Sequence, residues 1–89
     1  MFKNKNQHFN NICGKKIKEL RKTKFSGLSQ RGLADKLQLA GIDLDKNAIQ
    51  RIESGQRFVT DIELLAFSQI LEVSANELLY SENRVGGSD

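Results

Sequence analysis

Leu28-Ser29-Gln30-Arg31-Gly32-Leu33-Ala34-Asp35-Lys36-Leu37, followed after a short break by Asp45-Lys46-Asn47-Ala48-Ile49-Gln50-Arg51-Ile52-Glu53-Ser54-Gly55, decides the fold of this chain. In the first segment Leu33, Ala34 and Leu37 share one side of a helix, and Ser29 precedes them as an N-cap. In the second, Asp45 stands before the helix, where its carboxylate accepts from an orphan N–H and meets the positive end of the helix dipole. Ala48, Ile49 and Ile52 then fall on one side. The other side carries Asn47, Gln50, Arg51 and Ser54, with Lys46 at its edge. It holds no carboxylate and no large apolar group. Amide, guanidinium and ammonium groups can hydrogen-bond base edges and phosphates. Two short helices joined tightly, the second held out as a probe, point to a surface for nucleic acid.

Outward from this pair the pattern stays helical. The helix after Ser29 is expected to run to Ala40, with Gly41 in the left-handed conformation that closes helices. Ile42 and Leu44 alternate with Asp43 and are placed to plug the core from the loop. Ser54–Gly55 ends the next helix. Upstream, Asn10 or Asn11 can cap a first helix reaching about Lys24. Its apolar stripe is Cys13, Ile17 and Leu20, and Lys15, Lys16, Lys18 and Lys22 lie outside it. Phe25–Gly27 breaks that pattern. Downstream, Thr60 with Glu63 and Ser74 with Glu77 form capping-box patterns. They start helices over about 61–71 and 75–80.

The expected fold is therefore all-α, a compact five-helix domain over residues 11–80. A flexible basic arm (1–10) precedes it and a disordered tail (81–89) follows. Ile17, Leu20, Leu33, Leu37, Ile49, Ile52, Leu64, Phe67, Leu71, Val73 and Leu78 are the expected core.

Bulk properties bound the function. Eighty-nine residues without proline allow one domain and one core. The single cysteine excludes an intramolecular disulfide, and Cys13 with His8 cannot make a structural zinc site. Cys13 reads as a small buried apolar residue, and His8 lies in the arm with no partner pattern. No metal and no cofactor are expected. A reducing, cytoplasmic setting follows, without a membrane span or signal peptide.

Net charge is +3, divided as +7 over residues 1–24, +1 over 25–59 and −5 over 60–89. A basic front and acidic back suggest that one side faces an anion, although a basic tail can also be simply solvated. No nucleophile–base pair, phosphate-cradling glycine loop or ligand cluster appears, so no catalytic residue is named and an enzyme is not expected.

With LSQ at the second helix, AIQRIESG at the third and LEVSANELL at the close, the chain resembles the Cro/lambda-repressor-like (Xre) helix-turn-helix family over about Ile12–Leu79. The resemblance implies a five-helix domain that binds double-stranded DNA, usually as a homodimer on a two-fold-symmetric site. It also implies a recognition helix at about 46–54 in the major groove. Lys46, Asn47, Gln50 and Arg51 become its base-contact candidates. Gln30, Ser54, Gln56 and Arg57 become phosphate-contact candidates, with Gln30 also steadying the recognition helix. Arg21 and Glu53 match a structural ion pair tying the first helix to the third. The helical projection agrees, because Glu53 lies at the edge of the apolar stripe. The turn between Leu37 and Ile49 is about five residues longer than the family's, and Phe25–Gly27 about two longer.

The fourth helix is apolar on more than one side. Leu64, Phe67 and Leu71 form one row, while Ile62, Leu65 and Ile70 lie off it. A second subunit packed on Ile62, Leu65, Leu79 or Tyr80 would cover the excess, as would the arm or tail folded back. Two functions are thus expected in order: a repressor-type transcriptional regulator, and alternatively a protein-interaction module, such as an antitoxin or regulatory adaptor, with secondary DNA binding.

Overall fold

A computed structural model describes residues 9–80; residues 1–8 and 81–89, with His8, most of the expected arm and all of the expected tail, lie outside it. Five helices follow in order: α1 (Gly14–Thr23), α2 (Gln30–Leu39), α3 (Lys46–Glu53), α4 (Asp61–Leu71) and α5 (Ala75–Leu79). Among the described residues there is no extended strand, and the domain is all-α. No described helix is long and apolar enough to cross a membrane.

The helix ends are set by short polar side chains. Ser29 accepts from Gly32 N, Asp45 from Ala48 N at 2.8 Å, and Ser74 from Glu77 N. Thr60 and Glu63 form a reciprocal capping box. Each such cap stabilises its helix by about 1 kcal/mol. At α1 the capping side chain is Asn11, two residues before Cys13: its Oδ1 accepts from Gly14 N at 2.7 Å.

α2 and α3 close alike. Gly41 (φ +86°) lets Ile42 N reach Leu37 O, and Gly55 (φ +83°) lets Gln56 N reach Arg51 O. Both are Schellman closures, which need a left-handed residue that glycine adopts without strain. Glu72 (φ 61°) takes the same role after α4. Four helices end one residue earlier than expected. Lys24, Ala40, Ser54 and Tyr80 are the capping residues after α1, α2, α3 and α5, the last with extended backbone.

The core collects one face of every helix. Ile17, Leu33, Leu37, Ile49, Ile52, Phe67 and Leu71 are fully buried, and Leu78 nearly so. Burying each stabilises the fold by about 1.5–3 kcal/mol before chain entropy is counted. Leu44 plugs the core from the loop as expected, with Ile42 half-buried beside it. Leu64 and Val73 pack on the core but remain partly exposed, a correction to the expected list. Ala66, Phe67 and Leu71 hold the inward face of α4 instead, while Val73 lies in the turn beyond Glu72.

α3 packs on both α1 and α2. Its contact with α1 is close enough that a Cβ on Gly14 would collide with the Ile52 carbonyl. α3 is therefore backed by α1 at its C-terminal half.

Candidate nucleic-acid interface

α3 presents Lys46, Asn47, Gln50 and Arg51 to solvent, while Ala48, Ile49, Ile52 and Glu53 are buried behind them. The 3.6-residue period makes this division. Lys46 is the first residue of the helix, and the loop before it ends at the capping residue Asp45. That loop is tied down by Gln38, whose Nε2 donates to Asp43 Oδ1 and to the Leu44 carbonyl, both at 3.2 Å.

Behind α3 lies a polar network in a mostly apolar setting. Arg21 Nε donates to Glu53 Oε2 at 2.7 Å and Nη2 to Oε1 at 2.9 Å. The same guanidinium donates from Nη1 to the Leu28 carbonyl at 2.8 Å, and Gln30 Nε2 donates to Glu53 Oε1 at 3.0 Å. The two charged side chains keep 10% and 2% of their surface exposed. One carboxylate thereby fixes α3 against α1, the α1–α2 loop and the start of α2. The expected Arg21–Glu53 pair is present.

Gln30, expected at phosphate, is half-buried and donates inward, so the observed contact is the steadying one.

The C-terminal end of α3 is held from a second direction. Asn11 Nδ2 donates to Ile52 O at 3.1 Å and Arg57 O at 2.8 Å. Asn10 N donates to Gly55 O at 2.7 Å, and its Nδ2 donates to Gln56 O at 2.8 Å. The Phe9 ring lies against Gly55. Phe9 and Asn10, the described end of the expected arm, are thus docked on the loop after α3. The sequence pattern marked the asparagines only as caps. Their reach across more than forty residues has no local signature.

The phosphate-contact candidates divide. Ser54 and Gln56 are exposed, and the Ser54 hydroxyl donates to Arg51 O at 3.2 Å. Arg57 is engaged: Nη1 and Nη2 donate to the two Glu63 carboxylate oxygens at 3.0 and 3.2 Å, and Nη1 also donates to Phe58 O. Burial pushes the Glu63 carboxyl up. The hydrogen bonds from Arg57 and Thr60, with the charge of Arg57, outweigh it and hold Glu63 below its ordinary value. This bidentate pairing neutralises the charge Arg57 was expected to offer a phosphate.

Arg31 enters the site unannounced. It is exposed in the first turn of α2 and shares with Lys46 and Asn47 a groove of about 520 Å³ between the starts of α2 and α3. Asp35 and Asp45 line the same groove. Asp45 is engaged in capping, Arg31 and Lys46 are the cations of this groove, and Arg51 is exposed further along α3. The signal that could have found Arg31 is its place beside Gln30, once the two helix starts are set side by side.

Chemically, this surface offers the carboxamides of Asn47 and Gln50 and the cations of Arg31, Lys46 and Arg51 on α2 and α3, able to form paired hydrogen bonds to planar acceptors. Cys13 is remote from such chemistry; burial pushes its thiol up to about 11. No protein-family model, curated protein or solved structure matches the chain.

Proposed function

We propose that this chain is a sequence-specific, double-stranded-DNA-binding transcriptional regulator of repressor type, acting in the cytoplasm as a homodimer on a two-fold-symmetric site. The observation that carries the reading is the pairing of two features on one short helix. Asn47, Gln50 and Arg51 are exposed side by side, and the helix beneath them is fixed by the buried Arg21–Glu53–Gln30 network. Side chains that read base edges need a rigid support, because misplacement weakens a bidentate contact. The likeness of LSQ and AIQRIESG to Cro/lambda-repressor-like domains supports the same reading.

In this mechanism α3 lies in the major groove. Asn47 or Gln50 pairs with adenine N6 and N7, and Arg51 or Lys46 with guanine O6 and N7. Ser54, Gln56 and Arg31 approach the phosphates, and occupancy of a promoter blocks or recruits the transcription machinery. Affinity falls steeply as salt rises, since phosphate contacts release counterions. The test is selection of preferred sites from a random double-stranded DNA pool at moderate salt. An enriched two-fold-symmetric motif with half-sites about 34–36 Å apart is the expected result. No enriched motif, with binding that disappears as salt rises, overturns the specific-regulator reading.

A second reading, a protein-interaction module of antitoxin or adaptor type, is favoured by one observation. Ile62 and Leu65 on α4 are 67% and 55% exposed, more apolar surface than DNA binding uses. A stably co-purifying protein together with no DNA binding at low salt would decide for it.

A further inference from the structure

A groove of about 770 Å³ lies between the segment before α1 and the end of α5, and Asn47, Gln50 and Arg51 take no part in it. Clefts of this size hold small molecules of cofactor or drug dimensions. Phe9, Ile12 and Leu79 supply apolar walls, and the Gly55 backbone, against which the Phe9 ring rests, lines it as well. Phe9 and Ile12 are 47% and 48% exposed, yet the chain around them is pinned. Asn10 N donates to Gly55 O, and Asn11 Nδ2 to Ile52 O and Arg57 O. The walls therefore stand ready, and a guest has little of them to order on entering.

The groove is cationic as well as apolar. Lys15 and Lys18 line it about one helical turn apart, both exposed and neither engaged by another described residue. Glu53, a carboxylate in its lining, keeps 2% of its side chain exposed and accepts from Arg21 and Gln30. It does not compensate the lysines. The exposed Ile62 and Leu65 of α4 lack this combination, because α4 carries no lysine or arginine.

We propose that the groove binds a small amphipathic anion, a carboxylate or sulfonate carried on an aromatic body. The body lies against Phe9, Ile12 and Leu79, with the Phe9 ring to stack on, and the anionic group meets Lys15 and Lys18. Charge and shape together select this occupant. A bare anion such as inorganic phosphate would use the two ammoniums and leave the walls in water. An uncharged apolar body would cover the walls and take water from the ammoniums without replacing it. A bilayer surface does not enter a groove recessed between two elements, so the occupant is a free molecule. The inference goes beyond the DNA reading and stands without it.

The experiment is titration of the full chain with anilinonaphthalene sulfonate and with phenylnaphthylamine, which has the same aromatic body and no sulfonate. Fluorescence reads affinity and amide NMR reads position. Saturable one-to-one binding of the sulfonate is expected, roughly tenfold or more tighter than the neutral probe. Amide shifts are expected at Ile12, Lys15, Gly55 and Leu79. Lys15→Ala with Lys18→Ala should remove the advantage of the sulfonate and leave the neutral probe unchanged. Both positions are exposed, and circular dichroism checks the fold. Should that variant be disturbed, the ratio of the two probes and the shift map of the wild type still decide. Equal affinity for the two probes overturns the proposal, as does an advantage that survives loss of both lysines. Shifts centred on Ile62 and Leu65 overturn it too, since apolar exposure alone would then explain binding. Displacement of the sulfonate by an equal concentration of inorganic phosphate would reduce the site to its charge and overturn it. So would capture of the chain by phosphatidylglycerol vesicles with no saturable binding of the free probe. Binding that appears only after removing residues 81–89 also overturns it, because the chain's own end would then be the occupant.

Discussion

The Glu53 carboxylate of α3 takes two hydrogen bonds from the Arg21 guanidinium of α1, at 2.7 and 2.9 Å, with almost no exposure to water. Such a pair is costly to bury and more costly to break, because one partner alone is an uncompensated interior charge. Arg21→Ala or Glu53→Ala should therefore lose about 3–5 kcal/mol in urea unfolding. Replacing both by apolar residues of similar volume should cost less than either single change. Single losses below about 1 kcal/mol would put the pair in the class of surface bridges and sink this account.

Gln50→Ala and Arg51→Ala make the opposite case. Both side chains are exposed, and the core residues of α3 lie on the other side, so stability should change by no more than about 0.5 kcal/mol. Discrimination between preferred and altered DNA sites should fall by about 1–3 kcal/mol for each. Unchanged site preference in both variants would remove α3 from the role of reading helix.

Arg57→Ala and Gln56→Ala should separate by mechanism. Arg57 is held by Glu63, so its loss should appear mainly in stability, whereas exposed Gln56 should affect DNA affinity alone. A salt slope that drops by about one on Arg57→Ala, with stability intact, would restore Arg57 to the phosphate contacts.

Most of the fold was legible because it is local. Ser29, Asp45, Thr60 and Ser74 cap the helices they precede, and Gly41 and Gly55 close two of them within five residues of the carbonyls they expose. The Arg21–Glu53 pair, 32 residues apart, was reached through the family likeness and the edge position of Glu53. The docking of Asn10 and Asn11 on residues 52–57 was not legible. Nothing in a polar, aperiodic stretch distinguishes a side chain that bonds a neighbour from one that bonds a distant carbonyl. For the same reason Arg57 read as a loop cation, although Glu63, six residues on, is its partner. Arg31 was missed because its relevance depends on how α2 and α3 sit together.

At Gly14 the backbone of α1 comes close to that of α3. Gly14→Ala would gain about 1 kcal/mol of helix propensity in an open helix. Here the added methyl meets the Ile52 carbonyl, a backbone group that cannot swing aside, so the net effect should be destabilising by about 1–3 kcal/mol. Asn11→Ala should lose a helix cap and two hydrogen bonds to the end of α3, and should weaken DNA binding beyond its effect on folding. Amide hydrogen exchange reads the difference. Faster exchange at Gly55 and Gln56 in Asn11→Ala, with the α2 amides unchanged, is the expected pattern.

Stability should depend on acid through Glu63. The folded carboxyl titrates below the ordinary 4.5 because Arg57 and Thr60 hold its ionised form against the pull of burial. The unfolded chain has neither partner and takes its proton at the higher pH. Between the two values the unfolded state binds more protons, so stability rises with pH there. The contribution is complete above the unfolded value and is lost as pH falls through the folded one. Glu63→Gln should therefore be less stable than wild type by about 1 kcal/mol at neutral pH, since it keeps a polar partner for Thr60 but loses the ion pair. The gap should hold constant down to about pH 5.5 and narrow as the solution becomes more acid. Thermal or urea unfolding of both chains across this range measures it. A gap that widens toward acid would mean that Glu63 is destabilised by ionising in the folded state, and that burial outweighs the hydrogen bonds from Arg57 and Thr60.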